Sequence, residues 1–520
     1  MSTAAATLKA VARRIGQIQP VRLVLIGYVL YTILGWLLLS LPFTHEEGQN
    51  PSAIDTLFIA TSAVSTTGLV SINPPLVFNF WGELVILTLF QINGIGYMTL
   101  GSFVVLLSKR RLSEAREGVA KSTFSLPEGF RMRRFIRHVV AFTFIIEALG
   151  AVALYPAFAS AGVAERAAEG GIGASFEGPL HLAWQSIYHS VSAFCTAGFS
   201  LFPDSLEAYP SHVGINAVIS VIALLGAIGF IVLTDAFRSA TLRAYKLTLT
   251  SKIILIITAW FILGGAVLLF LADPALRELP AEQRVMVAFF QSMTSATTVG
   301  FNTFPLAKLG AASVLLMYLL MIIGASPSGT GGGLKSTSVS VMIATVRSTL
   351  KCRPHITFLS KEIPAHRITA AFATLTMYVI TLLVGGYLLI LTESRASAPS
   401  RAEGEGPLLI EDVFFEATSA LGTVGISRGI TGDLTDLGKL IICALMLAGR
   451  VGPLTLGLAL FSKEPDKALQ EAPTNDTKKD KSEPSSKAAT PDEQQESEAD
   501  HDKDEEDTEE EDTEEEDIAV

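Results

Sequence analysis

The chain has 520 residues, of which 49% are hydrophobic and only 17% charged, too much apolar surface for one soluble globular domain. Its formal charge of −11 is uneven: Lys463 to Val520 holds 24 acidic residues against seven lysines, leaving 32 basic against 26 acidic residues elsewhere. Those basic residues sit between apolar runs, which excludes a concentrated nucleic-acid-binding surface. Cys195, Cys352 and Cys443 lie far apart and match no metal-ligand or redox spacing.

In chain order, the apolar runs predict eight membrane spans and an all-α membrane fold. Val21 to Pro42 is the first; it exceeds the core of a signal peptide and no small-residue cleavage pattern follows it. The others are Trp81 to Leu107, Ile136 to Phe158, Gly214 to Leu233, Ile253 to Leu271, Ala311 to Ile323, Ile368 to Leu391 and Leu437 to Phe461. Basic residues gather in the N-terminus, Lys109 to Arg137, Arg238 to Lys252 and Arg347 to Arg367. The positive-inside rule makes these segments cytoplasmic, with both termini. The alternate segments, such as His45 to Asp55 and Ala159 to Leu180, are poor in Lys and Arg and face outside. Each ends in a shorter apolar piece of about 10 to 14 residues, such as Ala53 to Ser65, the length of a re-entrant helix rather than a span.

The organisation that follows is a cytoplasmic N-terminus (1–20), four span/re-entrant/span units (21–108, 135–236, 252–347 and 367–462), a cytoplasmic loop (109–134) and a tail (463–520). The tail ends in DEEDTEEEDTEEED and cannot bury enough apolar area to fold, so it is expected to be disordered and cytoplasmic.

Aligning the re-entrant pieces on one glycine gives four matching strings. They are FIATSAVSTTGL (Phe58 to Leu69), YHSVSAFCTAGF (Tyr188 to Phe199), FQSMTSATTVGF (Phe290 to Phe301) and FEATSALGTVGI (Phe415 to Ile426). An aromatic stands ten residues before the glycine, a hydroxyl (Ser62, Ser192, Thr294, Ser419) six before it, and threonine two before it. The loops are thus Thr66, Thr67, Gly68; Thr196, Ala197, Gly198; Thr298, Val299, Gly300; and Thr423, Val424, Gly425. Irregular backbone at membrane depth is tolerated where protein buries it or where it lines a water-filled path. Glycine permits dihedrals that turn backbone carbonyls toward an ion, and the negative C-terminal end of each short helix favours a cation. Because each unit crosses twice, all four point the same way, which predicts a pseudo-fourfold pore along the membrane normal. Inverted-repeat transporters have their axis in the membrane plane instead.

Together with LFQINGIGYMTLGSF (Leu89 to Phe103), GASPSGTGGGLKSTS (Gly324 to Ser338) and GRVGPLT (Gly449 to Thr455), the four strings resemble the Trk/Ktr/HKT superfamily of potassium transporters over roughly Val21 to Phe461. Eight spans without an extra N-terminal pair look most like the Ktr ion-conducting membrane subunit. The resemblance implies a single-chain potassium filter at Gly68, Gly198, Gly300 and Gly425, and glycine rather than serine at the first position favours potassium over sodium. It also implies a homodimer docked on a cytosolic ring of nucleotide-binding (RCK-type) regulatory subunits, so that ATP/ADP or NAD would act only through the partner. Asn93 departs from the family pattern, which usually repeats glycine there.

The run from Ala311 to Val346 is interrupted by Gly324, Pro327, Gly329, Gly331, Gly332 and Gly333, with Ser326, Ser328 and Thr330 between them. So many helix breakers predict an unwound, movable segment over 324–333. The family resemblance implies an intramembrane gating loop there. A phosphate-binding reading of the segment fails, because Leu334 occupies the required glycine and no strand precedes it. Arg450, near the middle of the last span, is costly at that depth and is expected to face a cavity or partner. The resemblance places it under the filter and against the gating loop, where its charge would act as a barrier to cations. Lys335 either snorkels to the interface or takes part in gating, and Glu147 reads as a protonated or hydrogen-bonded packing residue rather than an ion site.

The function expected is potassium uptake across the plasma (inner) membrane through a multi-pass protein that is not an enzyme. A sodium- or proton-coupled secondary transporter with a broken helix is the alternative. A membrane-embedded hydrolase lacks both His-Glu-x-x-His and Gly-x-Ser-x-Gly patterns.

Overall fold

A computed structural model describes residues 20–107, 132–164, 178–242, 246–327, 329–359, 361–395 and 410–461. The expectations for the N-terminus (1–19), most of the 109–134 loop, Ser328 and the acidic tail lie outside the described residues.

Among the described residues the first helix is α1 (Pro20–Leu39), followed by the short α2 (Ala53–Ser65) and the long α3 (Phe80–Leu107). The same sequence of elements recurs as α4 (Met132–Ser160), α5 (Gly178–Phe194) and α6 (Val213–Ile228), with α7 (Phe230–Thr241) continuing from α6. The third set is α8 (Leu249–Ala272), α9 (Ala281–Thr297) and α10 (Ala311–Ile322), followed after an unwound stretch by α11 (Ser336–Leu350). The last is α12 (Ala365–Arg395), α13 (Ile410–Gly422), α14 (Asp436–Val451) and α15 (Pro453–Phe461).

Sequence explains where the short helices start. Ser52 caps α2, its hydroxyl accepting the Asp55 N–H at 3.1 Å, while the Asp55 carboxylate sits in the positive first turn. Acidic residues also open α9 (Glu282) and α13 (Glu411, Asp412). Two of the short helices, α5 and α9, run to 17 residues, longer than the sequence suggested, because each begins further out than its apolar core.

Among the described residues, four helices are long and apolar enough to cross a membrane: Arg22–Leu39, Arg137–Ser160, Leu249–Ala272 and Ala365–Ser394. Among the same residues the number rises to six if each of two bent pairs is one span. Ala311–Ile322 is a short apolar helix because the chain unwinds after it. The runs Gly214 to Leu233 and Leu437 to Phe461 read as single spans but are broken: α6 and α7 meet at 103° and α14 and α15 at 97°. Gly229 (φ 85°) and Gly452 (φ 89°) make the corners, a conformation with a steric penalty for other residues, and Pro453 cannot donate the next helical hydrogen bond. An antiparallel hairpin, β1 (Thr357–Phe358) with β2 (Lys361–Glu362), is a small exception to the all-α expectation.

Each short helix packs between the long helix before it and the helix after it: α2 on α1 and α3, α5 on α4 and α6, α9 on α8 and α10, α13 on α12 and α14. Neighbouring units then join in chain order through α3 on α5, α6 on α9 and α10 on α13, and α14 returns to α2. The short helices are therefore interior, with Phe58 to Ser65 and Phe415 to Gly422 buried throughout. Leu30, Leu149, Trp260 and Tyr387, on the long helices, are instead exposed. Such apolar exteriors around a polar-lined interior suit hydrocarbon, not water.

Candidate functional site: four glycine loops and an unwound segment

Each short helix ends at the threonine of its string. Thr66, Thr196, Thr298 and Thr423 all take left-handed backbone, with φ between 49° and 58°, and the chain leaves the helix there. The glycine two residues on also has positive φ: 93° at Gly68, 68° at Gly198, 91° at Gly300 and 92° at Gly425. In three strings the hydroxyl six positions earlier accepts the glycine N–H, from Ser62 (3.0 Å), Thr294 (3.1 Å) and Ser419 (3.1 Å). Ser192 differs, donating to the Phe199 carbonyl at 2.8 Å. The hydroxyl position in the strings is thus a clamp on the loop backbone.

The four loops meet one another. A Cβ built on Gly68 would lie 2.5 Å from the Ala197 carbonyl oxygen, one on Gly198 2.8 Å from that of Val299, one on Gly300 2.5 Å from that of Val424, and one on Gly425 1.9 Å from that of Thr67. No side chain fits at any of these places without displacing backbone. The residues that sequence pattern aligned over some 360 positions are therefore in van der Waals contact.

Gly324 to Pro327 and Gly329 to Gly333 are non-helical, and the two ends of the segment are clamped together. The Leu334 N–H donates to the Ile322 carbonyl and the Gly324 N–H to that of Leu334, each at 3.0 Å. Between the clamps, Ser326 and Thr330 donate backbone N–H groups to the carbonyls of Ala227 (3.2 Å) and Gly226 (3.1 Å), beside the break at Gly229. The segment lies against three of the four loops. Thr330 Oγ1 donates to the Phe194 carbonyl at 3.0 Å and is 3.2 Å from Thr196 Oγ1. The Gly332 N–H donates to Thr298 Oγ1 at 3.0 Å, and a Cβ on Gly332 would come within 2.0 Å of Thr423 Oγ1. Glycine at 324, 329, 331 and 332 is required by these approaches, each Cβ meeting an oxygen at 2.5 Å or less. Pro327 is half-buried at the turn of the segment.

Two cations reach this segment. Arg450 is buried, with Nη1 donating to the Thr330 carbonyl and Nη2 to the Asn93 carbonyl at 3.3 Å. Lys335 Nζ donates to the Gly331 carbonyl at 2.6 Å, so it turns back to the segment rather than outward. Glu147 is buried and accepts from Gln91 Nε2 at 2.8 Å, as expected of a hydrogen-bonded packing residue. Sequence reasoning missed Gly226 and Ala227 as anchors and Asn93 as a partner of Arg450, because these are backbone contacts that carry no side-chain signature. It also passed over His189, Gln291 and Glu416, although a polar residue after the aromatic of three strings was a visible signal. Among the described residues, no cluster of three or more His, Cys, Asp or Glu could hold a metal ion.

Comparison with known proteins gives a family profile, TrkH, described as a cation transport protein, matching residues 27–471. The chain is similar to the potassium/sodium uptake protein NtpJ of Enterococcus hirae, at 32% identity over 86% of this chain and 94% of that protein. It is similar to the Ktr system potassium uptake protein B of Vibrio alginolyticus, at 30% identity over 85% and 92%. Among solved structures, it resembles the crystal structure of the potassium transporter TrkH from Vibrio parahaemolyticus with a TM-score of 0.60, at 21% identity over 84% of each chain.

Proposed function

This chain belongs to the TrkH family of cation transport proteins, and from that premise we propose that it carries potassium into the cell through a pseudo-fourfold, single-chain filter built on Gly68, Gly198, Gly300 and Gly425. The observation that carries the proposal is the cyclic contact of the four loops, each glycine against the carbonyl of the next loop and the fourth against the first. Four short helices end at these loops, so their negative ends converge on the same place and favour a cation without any charged side chain. The hydroxyls of Thr66 and Thr423 are buried without a hydrogen-bond partner, which suits oxygens that face a dehydrated ion. The relatives named as potassium uptake proteins support the choice of ion.

The segment 324–333 is the gate in this reading. It lies against Thr196, Thr298 and Thr423, at the ends of three short helices, so an ion leaving the loops meets backbone there. Arg450 fastens the segment through Thr330 and sets a positive charge beside it. Movement of the segment and withdrawal of that charge together open the path. Ser328 belongs to the proposed gate by its place in sequence.

The protein is proposed to work as a homodimer in the plasma membrane with both termini cytoplasmic, docked on a cytosolic RCK-type ring. The name "Ktr system" of several relatives supports a partner subunit, and ATP/ADP or NAD would act through that partner. The name potassium/sodium uptake protein, borne by the E. hirae relative, favours a second reading in which sodium drives or shares the path.

Uptake into proteoliposomes with potassium and sodium gradients varied independently tests both. Potassium-driven flux whose selectivity is lost in Gly300→Ser supports the filter. Flux that requires a sodium gradient and ignores Gly300→Ser overturns it in favour of coupled transport.

A further inference from the structure

The residue after the aromatic of each string, nine positions before the glycine, is Ile59, His189, Gln291 or Glu416. All four are completely buried. A buried polar group without partners destabilises a fold, so three polar residues at this one position require partners. In every case the partner lies just beyond the glycine of the same loop.

His189 Nδ1 donates to the Gln185 carbonyl at 2.8 Å, so in the neutral ring Nε2 accepts, and the Ser200 hydroxyl donates to it at 3.0 Å. Ser200 is two residues past Gly198. Gln291, with its amide oxygen turned inward, accepts the N–H groups of Thr303 and Phe304, each at 3.1 Å. These lie three and four past Gly300. Glu416 accepts from the hydroxyls of Ser427, two past Gly425, and of Thr431, the latter at 3.0 Å. The first unit has apolar Ile59, yet one helical turn earlier Asp55 Oδ1 accepts from Ser71 Oγ at 2.8 Å, three past Gly68.

We infer that His189, Gln291, Glu416 and, displaced by one turn, Asp55 are positioning residues that strap the outer lip of each filter loop to its own helix, and that they set ion discrimination. The inference rests on the proposed filter at the four glycines. The inner end of the loops is already held, since Ser62, Thr294 and Ser419 accept the glycine N–H groups. Beyond the glycine the backbone is irregular, and the strap holds it from behind. Without both ends fixed, the carbonyls would relax toward a smaller ion and lose their preference for a larger one. The four straps differ chemically, so the four sides of the filter differ in stiffness.

The test measures the potassium-to-sodium flux ratio and thermal stability of the full chain in proteoliposomes. Glu416→Ala removes two buried hydrogen bonds and is expected to lower the ratio roughly tenfold. Glu416→Gln keeps one acceptor oxygen and restores part of it. Ser427→Ala lowers the ratio by roughly two- to fivefold, and adding it to Glu416→Ala lowers the ratio no further, which a general loss of stability would not produce. A folded Glu416→Ala with the wild-type ratio, beside a Gly425→Ala variant that has lost it, overturns the straps and leaves the filter standing. A wild-type ratio in Gly425→Ala as well overturns the filter itself. If Glu416→Ala does not fold, Ser427→Ala and Ser200→Ala decide: an unchanged ratio in both overturns the inference.

Discussion

The ammonium of Lys439 lies 2.8 Å from Asp55 Oδ1, so an ion pair joins the start of α14 to the first turn of α2, 384 residues away in sequence. It fastens the last unit to the first, in a place that is largely shielded from solvent. Removing one partner leaves the other charge without its counter-ion, which is more costly than losing a surface pair. Lys439→Ala is expected to lower unfolding stability by about 3 kcal/mol, and Asp55→Asn with Lys439→Ala should cost less than the two single effects combined. Additive losses in the double-mutant cycle would show that the pair does not act as a unit.

The same pair has a pH signature. Burial opposes ionisation of Asp55, but hydrogen bonds from Lys439, Ser52 and Ser71 outweigh it and hold the carboxyl below its ordinary value. A depressed carboxylate stabilises the fold at every pH above its unfolded value, about 4. That contribution is lost as pH falls through the depressed value. Thermal unfolding in detergent should therefore show an acid-side slope that is smaller in Asp55→Asn; equal slopes would remove the assignment.

Arg450 ties Thr330 and Asn93 together through their carbonyls. A hydrogen bond from a charged group is worth about 1.5–3 kcal/mol, so Arg450→Ala is expected to raise unregulated potassium flux roughly tenfold or more. Arg450→Lys, whose single ammonium cannot reproduce the planar fork of the guanidinium, should lie between the two. Flux unchanged in Arg450→Ala would exclude a latch.

Space around the glycines predicts a ranking. The Cβ of alanine would lie 1.9 Å from a carbonyl oxygen at position 425 and 2.8 Å at position 198. The φ of 68° at Gly198 is also one that other residues can adopt at modest cost, whereas those near 92° are not. Gly425→Ala should therefore lose the most selectivity and Gly198→Ala the least, with Gly68→Ala and Gly300→Ala between them. The reverse order in flux-ratio measurements would mean that these contacts do not form the conducting path.

Gly332→Ala probes the gate. Its Cβ would clash with Thr423 Oγ1 at 2.0 Å, so the segment must move away from the loops. Basal flux is expected to rise several-fold, in keeping with a clash that costs about 1–3 kcal/mol. Flux at the wild-type level in a folded Gly332→Ala protein would show that the segment does not occlude the path.

Much of this was legible without coordinates, because the constraints involved are local or periodic. Helix ends at Thr66, Thr196, Thr298 and Thr423 follow from residue types that recur at fixed offsets, and the unwinding at 324–333 follows from breakers that no helix absorbs. Apolar length located the long helices for the same reason, since hydrocarbon imposes one requirement on every residue of a span. The right angles at Gly229 and Gly452 were not legible, because one glycine in an apolar run is as compatible with a straight helix as with a corner.

Contacts between distant segments depend on which surfaces meet. The pairing of Lys439 with Asp55, the approach of Gly425 to Thr67 and the anchoring of Thr330 on Gly226 join residues about a hundred to nearly four hundred positions apart. Several of them use backbone atoms, which every residue possesses and which no sequence pattern marks. The sequence by itself determined that four equivalent loops exist and what chemistry each carries. Only the tertiary structure decided that they face one another in order, because that order is fixed by packing of α14 on α2 and of each unit on the next.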